Sequence, residues 1–106
     1  MNIIKIFIAY FLLLNIAACT WVGVSPQGEK VRVLTAKEVS ACERIGKTTV
    51  NTAAKLAGLN RYAHKVQSEL NTLARNSAVE LGGDTVVPVD APADGRQVFE
   101  VYRCMP

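Results

Sequence analysis

NRYAHKVQSELNTLARNSAVELGG, residues 60–83, is the stretch that decides the fold. Apolar or small side chains recur in it every three or four positions, and polar side chains lie between them. This spacing places the apolar side chains on one face of an α-helix, which has to pack against another element. Asn60 is a suitable N-cap, and Gly82 and Gly83 end the helix because glycine readily adopts the left-handed conformation. The predicted apolar face comprises Ala63, Val66, Leu70, Leu73, Ala74, Ala78 and Leu81.

Four segments with strand character flank the predicted helix: residues 30–35, 40–51, 84–89 and 97–104. Val31 and Val33 alternate with charged residues, which is typical of a strand with one buried face. Gly46 indicates a bulge or bend in the second strand, and Pro88 indicates an edge or a strand end. The sequence APADG at residues 91–95 predicts a turn. We therefore expect an α+β fold, in which a small, mostly antiparallel sheet of about four strands packs on one long helix.

The N-terminal segment has the three parts of a secretory signal. Lys5 supplies positive charge, residues 6–14 are all apolar, and small side chains follow. The sequence IAAC at residues 16–19 resembles a bacterial lipobox, in which a branched apolar residue and two small residues precede an obligatory cysteine. Two alternatives stay open. One is an uncleaved anchor, although Asn15 interrupts the apolar run well short of the roughly 20 residues of a spanning helix; the other is a secreted protein in which Cys19 keeps a free thiol.

The lipobox resemblance implies a lipid anchor at Cys19. In that family the cysteine thiol receives a diacylglycerol and the chain is cut just before it, so residues 1–18 would be the lipoprotein signal peptide. Residues 19–29 would then be the lipidated N-terminus and a short tether, and residues 30–106 a small α+β periplasmic domain. Two or three acyl chains give a stable anchor, whereas one binds reversibly. Thr20 stands where enteric bacteria place the aspartate that retains lipoproteins in the inner membrane, which implies an outer-membrane anchor facing the periplasm.

The chain has three cysteines, an odd number for a protein in an oxidising compartment. Assigning Cys19 to lipid leaves Cys42 and Cys104, which can form one disulfide. That bond would close most of the mature chain into a loop and stabilise a domain of this small size. The alternative is two separate buried thiols. A metal site is not favoured, because His64 is the only histidine and no C-x-x-C spacing occurs, and we expect no cofactor.

Charge and motifs argue against several classes of function. The chain has 12 Lys and Arg against 9 Asp and Glu, with both signs spread along it, so nucleic acid is not an expected partner. Gly82 and Gly83 follow the helix rather than precede it, which argues against a phosphate loop. Glu80 and Asp84 flank the helix end and could form a carboxylate pair for acid/base catalysis. The favoured interpretation is that they are two surface carboxylates that do not pair with each other. His64 lies on the polar helix face without an evident acid or nucleophile as its partner.

Five segments together resemble the small proteobacterial outer-membrane lipoproteins of the YjeI-like kind, a group with a domain of unknown function. They are CTWV, GEKVRVL, ACERIGKTTV, ELNTLARNSAVELGGDTVVPV and VFEVYRC. The segment ARNSAVELGGDTVV is also similar to the YbjQ-like fold, which includes the outer-membrane stress-sensing lipoprotein of the Rcs phosphorelay. That sensor has two disulfides, whereas this chain can form one after lipidation. The resemblance implies an outer-membrane lipoprotein with a small α+β domain.

We therefore expect a lipoprotein without catalysis, held at the lipid bilayer through acylated Cys19. Its small disulfide-closed domain would bind an envelope protein or another envelope component, or transmit envelope stress. The alternative is a periplasmic domain that binds a small ligand, or hydrolyses a substrate, with His64 and a nearby carboxylate. The two hypotheses differ in what a His64→Ala variant would lose, since only the second needs that side chain.

Overall fold

The computed structural model describes residues 23–105, so the predicted signal peptide, the lipobox and Cys19 lie outside the described residues. The described chain contains, in order, strands β1 (Arg32–Val33), β2 (Glu43–Asn51), β3 (Lys55–Leu56) and β4 (Leu59–Asn60), helix α1 (Ala63–Glu80), and strands β5 (Thr85–Pro88) and β6 (Arg96–Arg103). Two short 3₁₀ helices, Gly28–Lys30 and Ala36–Val39, flank β1. Within residues 23–105, no helix is long and apolar enough to cross a bilayer.

The strands form one four-stranded sheet and one separate hairpin. The sheet has the order β1-β5-β6-β2, and the hairpin is β3-β4. Strand β6 pairs antiparallel with both β5 and β2, whereas β1 pairs parallel with β5. The predicted α+β fold, with a mostly antiparallel sheet on one long helix, is therefore confirmed. The parallel edge pair has no local signal in the sequence, because it joins residues that are far apart along the chain.

The hydrophobic core lies between α1 and one face of the sheet. The helix contributes a stripe with a spacing of four residues: Val66, Leu70, Ala74 and Ala78. The sheet contributes Val50, Val86, Phe99 and Val101, with Val31 beside them. Phe99 is fully buried, and the two alanines let the helix approach the sheet closely. Ala63 and Leu81, which we predicted on the apolar face, are exposed because they lie at the first residue of α1 and just past its last.

The opposite face of the sheet is also partly covered. Thr85 and Val87 alternate with Val86 along β5, so they point away from the helix, and both are buried. The chain from residue 34 to residue 42 links β1 at one sheet edge with β2 at the other. Its Val39 is buried without belonging to the core beneath the helix.

The C-terminal end of α1 has the structure predicted from its two glycines. Gly82 has a φ of 80°, and its N–H donates to the carbonyl of Val79 at 3.1 Å. The N–H of Gly83 donates to the carbonyl of Ala78 at 2.8 Å. These two bonds are the Schellman pattern, which satisfies carbonyls left open at a helix end.

The predicted N-cap of α1 is wrong. Asn60 pairs with Lys55 in the β3-β4 hairpin, and α1 begins at Ala63 with Tyr62 in the N-cap position. Tyr62 makes no side-chain capping bond. Asn60 therefore belongs to the hairpin, although the apolar periodicity alone predicts that it precedes the helix directly.

The first two strands are shorter than predicted. Of residues 30–35 only Arg32–Val33 pair as a strand, because the 3₁₀ helix before them turns the chain and buries Val31 outside the ladder. The second strand begins at Glu43 rather than at residue 40. A register shift beside Gly46 confirms the predicted bulge.

The connection between β5 and β6 matches its prediction. Pro88 is the last residue of β5, where its missing N–H costs no internal ladder bond. Asp94 and Gly95 both have positive φ, 50° and 75°, and Ala93 and Arg96 exchange two backbone hydrogen bonds of 2.9 Å across them. The predicted turn within residues 91–95 is therefore present as a tight two-residue loop.

The chain before β1 packs on the helix. The side chain of Asn76 accepts a hydrogen bond from the Ser25 N–H at 2.8 Å and donates one to the Gly23 carbonyl at 3.1 Å. The guanidinium of Arg75 donates to three main-chain carbonyls within residues 28–31. From Gly23 onward, the predicted tether is thus held against the C-terminal half of α1.

Candidate functional site

Cys42 and Cys104 form a disulfide, with their Cα atoms 4.6 Å apart. It joins the residue just before β2 to the residue just after β6, so it closes the sheet at that end. The single disulfide expected as part of the fold is therefore present, and the alternative of two separate thiols is wrong. Cys19, the predicted lipidation site, lies outside the described residues and stays a prediction.

Asp84 holds the end of the chain beside the disulfide. Its carboxylate accepts hydrogen bonds of 2.8 Å from the N–H groups of Cys104 and Met105 and one of 2.9 Å from the Thr85 hydroxyl. Burial raises the pKa of Asp84, but these donors outweigh it and the pKa lies below its ordinary value. Among residues 23–105 no hydrogen bond joins Asp84 to Glu80, and the Asp84 carboxylate instead organises the backbone next to Cys104.

His64 is exposed at the start of α1. Its ring lies 5.8 Å from the ring of Tyr62, in a tilted arrangement. Among residues 23–105 no hydrogen bond or ion pair joins His64 to a carboxylate, and no group of three or more His, Cys, Asp or Glu side chains could hold a metal ion. The structure therefore does not bring His64 together with Glu80 or Asp84, which lie at the other end of the helix.

The β3-β4 hairpin is a feature that sequence reasoning missed. It is closed by Ala57 and Gly58, which both have positive φ, 52° and 79°, as a type I′ turn requires. The sequence signal for this turn is the Ala57-Gly58 pair between Leu56 and Leu59. The signal is weak, because alanine stands where a type I′ turn usually has asparagine or aspartate. The most exposed large apolar side chains of the described chain are Leu56 and Leu59 of the hairpin and Tyr62, the N-cap residue of α1, at 60%, 74% and 79% exposure.

A polar cluster at the base of the hairpin fixes it to α1. Arg61 forms a bidentate pair with Glu69, at 2.6 and 2.9 Å, and donates a further bond of 2.8 Å to the Ala53 carbonyl. The Thr52 hydroxyl donates to the same carboxylate at 2.6 Å. Both charged side chains are largely buried, at 16% and 21% exposure. We call these residues the clamp, because they join the chain on both sides of the hairpin to the helix.

Two open clefts meet at Asn60 and Arg61. The first, of about 340 Å³, lies between the hairpin, the first turn of α1 and the β5-β6 turn. The second, of about 470 Å³, is lined by Leu56, Asn60, Arg61, Tyr62 and Lys65. Aliphatic, aromatic, amide and cationic side chains lie side by side here. Such a composition suits a ligand with both an apolar part and a polar group, because the apolar side chains can contact the first and the amide and cationic groups can hydrogen-bond the second. This end of the domain is the candidate functional site.

The clamp gives the candidate site an acid-sensitive anchor. The Arg61 guanidinium and the Thr52 hydroxyl lower the pKa of Glu69 from 4.5 to about 2. Because the folded-state pKa lies below the unfolded one, the stability that this carboxylate contributes is fully present above pH 4.5 and is lost as the pH falls toward 2. Urea denaturation between pH 6 and pH 2.5 should therefore show a fall in stability that is smaller in a Glu69→Gln variant. An equal fall in that variant would contradict this role.

A family model described as a domain of unknown function (DUF4156) matches residues 22–104. Neither a curated protein nor a solved structure gives a significant match. The match covers both disulfide cysteines, the clamp and the hairpin.

Proposed function

Over residues 22–104 the chain belongs to the DUF4156 family, a domain of unknown function, and from that premise we propose that it is a lipid-anchored protein of the bacterial envelope. Its anchor would be an acylated Cys19 in the outer membrane, and its domain would face the periplasm. The domain would act as an interaction module that binds another envelope component or transmits envelope stress. The resemblance to the YjeI-like lipoproteins supports this proposal.

The observation that carries the proposal is the pairing of the cysteines. Cys42 and Cys104 are joined to each other, and a disulfide of this kind persists in an oxidising compartment such as the periplasm. The pairing leaves Cys19 as the odd cysteine, at the end of an apolar run and behind two alanines. Acylation gives that thiol a chemical role and removes it from disulfide exchange.

The docked N-terminal segment also supports an anchored domain. Because Asn76 and Arg75 hold the chain from Gly23 onward, only the few residues between Cys19 and Gly23 would separate the lipid from the folded domain. Fully extended, such a segment reaches at most about 14 Å. A lipid at Cys19 would therefore keep the domain against the membrane surface, with little freedom to move away from it.

The intact mass of the protein purified from its producing cell tests the anchor. We expect the wild-type mass to correspond to residues 19–106 with one disulfide and two or three acyl chains, and a Cys19→Ala variant to lack both the acyl mass and cleavage before residue 19. A Cys42→Ala, Cys104→Ala variant is the matched control, because it removes two thiols and should keep the acyl mass. An unacylated wild-type chain would overturn the anchor.

Crosslinking in intact cells tests the interaction role. We expect the anchored domain to capture a specific envelope protein or the cell wall, or its deletion to change an envelope stress response. A domain that captures no envelope component, and whose deletion leaves stress signalling unchanged, would contradict the proposal. The alternative that uses His64 stays a prediction, and a His64→Ala variant that retains every binding property of the wild type would remove it.

A further inference from the structure

The two cysteines of the disulfide lie opposite each other at the end of the sheet. Strands β2 and β6 pair antiparallel, and Glu43 lies opposite Arg103 in the last pair of their ladder. One step further outward, the same register places Cys42 opposite Cys104. Their Cα atoms are 4.6 Å apart, which agrees with the roughly 4.5 Å of the narrow pairs in such a ladder. Both cysteines are partly exposed, so a reagent in solution can reach them.

Asp84 fixes the two residues that follow β6 and lie beyond its ladder. Its N–H donates to the Tyr102 carbonyl at 3.0 Å, so the backbone of Asp84 is bound to β6 itself. Its carboxylate accepts bonds of 2.8 Å from the N–H groups of Cys104 and Met105. The Thr85 hydroxyl donates to the same carboxylate at 2.9 Å and orients it. The main chain of Cys104 is therefore held by a side chain at the point where the strand has ended.

Neighbouring hydrogen bonds hold the rest of this sheet end. The Cys42 N–H donates to the Val39 carbonyl at 2.9 Å, and Val39 is buried. Arg103, the last residue of β6, donates from its guanidinium to the Gly82 carbonyl at 3.2 and 3.3 Å. Neither these bonds nor those of the Asp84 carboxylate involve a sulfur atom. Reduction of the disulfide therefore leaves all their donors and acceptors in place.

We propose that Asp84 is a positioning residue for disulfide formation: it holds Cys104 opposite Cys42 in the folded chain while both are still thiols. Oxidation then closes a sheet end that hydrogen bonds have already built. Two thiols held in one geometry have a high effective concentration toward each other, because folding has already removed the freedom that closing the ring would cost. The inference rests on the disulfide and uses no property of Cys19, so it stands apart from the proposed lipid anchor.

Oxidation of the pair transfers two electrons to an external disulfide, for which oxidised glutathione is the probe. The thiolate of one cysteine attacks oxidised glutathione, which forms a mixed disulfide and releases one glutathione. The thiolate of the other cysteine then attacks the protein sulfur of the mixed disulfide, which forms the bond between Cys42 and Cys104 and releases the second glutathione. The two protons that the cysteines lose end on the two released glutathione thiols. Asp84 acts on the second step, because only that step needs both cysteines in one place.

The effective concentration of the two thiols in the folded chain tests this role. The full chain, as purified from its producing cell, would be equilibrated at neutral pH with mixtures of reduced and oxidised glutathione. After alkylation of free thiols, peptide mass measures the fraction of chains in which Cys42 and Cys104 are linked. We expect Asp84→Asn to lower the effective concentration about tenfold, because the amide keeps one acceptor oxygen and turns an NH₂ group toward the other N–H. A merely structural role would destabilise the oxidised and reduced chains equally and leave this quantity unchanged.

Two further variants complete the test. Met105→Pro removes one N–H donor to Asp84 and leaves the carboxylate and its charge in place, and it should lower the effective concentration about threefold. Met105 is exposed and lies beyond the last strand, so this change spares the core. Asn76→Ala is the matched control, because Asn76 also holds a terminal segment through side-chain bonds to its main chain, but at the N-terminal side. Its effective concentration should equal that of the wild type.

An Asp84→Asn chain with the wild-type effective concentration would overturn the positioning role, and so would an equal fall in Asn76→Ala. Circular dichroism of the oxidised chains shows whether each variant is folded. If Asp84→Asn is unfolded, Met105→Pro decides alone: a fall supports the role and an unchanged value overturns it. Hydrogen exchange of the reduced chains is a second readout, in which the Cys104 amide should exchange about tenfold faster in Asp84→Asn than in the wild type. Equal rates in the two reduced chains would contradict the role.

Discussion

Replacing Cys42 and Cys104 together by alanine is expected to lower the free energy of unfolding by about 4 kcal/mol. The disulfide spans 62 residues, and in the chain-entropy model a loop of that length removes much of the freedom of the unfolded chain. Small domains are stable by only about 5 to 15 kcal/mol, so the loss is a large part of the total. Urea denaturation followed by circular dichroism measures it.

The reduced wild-type protein is the control for this prediction. It lacks the same cross-link but keeps both sulfur atoms, so its free energy of unfolding should agree with that of the double variant within about 1 kcal/mol. If the double variant and the oxidised wild type unfold at the same urea concentration, the stabilising role of the disulfide is wrong. If only the double variant is unstable, the loss comes from packing around the side chains and not from the cross-link.

Gly95→Ala is the second substitution with a large expected effect, a loss of about 3 kcal/mol in the free energy of unfolding. Gly95 has a φ of 75°, a conformation that alanine adopts only with strain, and a Cβ there would overlap the backbone carbonyl of Thr52. That carbonyl has little room to move, because the Thr52 N–H donates to the Gly95 carbonyl at 2.7 Å. Thermal and urea denaturation measure the loss.

Gly58→Ala is the matched control for Gly95→Ala. Gly58 has nearly the same φ, 79°, but a Cβ there would meet no atom within 4 Å. Gly58→Ala therefore introduces the backbone strain without a steric overlap, and it should lower the free energy of unfolding by about 1 kcal/mol. Equal losses in the two variants would show that the contact between Thr52 and Gly95 contributes nothing beyond strain.

The elements that sequence analysis predicted well depend on local chemistry. The spacing of Val66, Leu70, Ala74 and Ala78 specifies a buried helical stripe wherever the helix packs, and Gly82 ends the helix through its own backbone freedom. The bulge at Gly46 and the strand end at Pro88 follow from the same kind of local rule. The disulfide prediction combined the cysteine count with the lipobox resemblance at Cys19 and left two separate thiols as its alternative, so the structure decided between the two.

The hairpin and the clamp were not predictable in this way. Residues 52–62 have neither helical nor strand periodicity, and Asn60, which the sequence predicts as the helix cap, pairs instead with Lys55 in the hairpin. The polar face of α1 gave no indication of which of its side chains would form hydrogen bonds to other segments of the chain. Glu69 binds Arg61 and Thr52, which lie 8 and 17 residues away, and Asn76 binds Gly23 across 53 residues.

The sequence by itself determined that the domain has one amphipathic helix flanked by short strands, because residue spacing and turn residues act through neighbouring residues. The cysteine number allowed one disulfide, but the tertiary structure decided that Cys42 and Cys104 form it. Tertiary structure decided that Leu56, Leu59 and Tyr62 stay outside the core and that the N-terminal segment lies on α1. Exposure and long-range hydrogen bonds depend on which segments meet in space. The candidate site could therefore be found only once the hairpin and the helix were seen side by side.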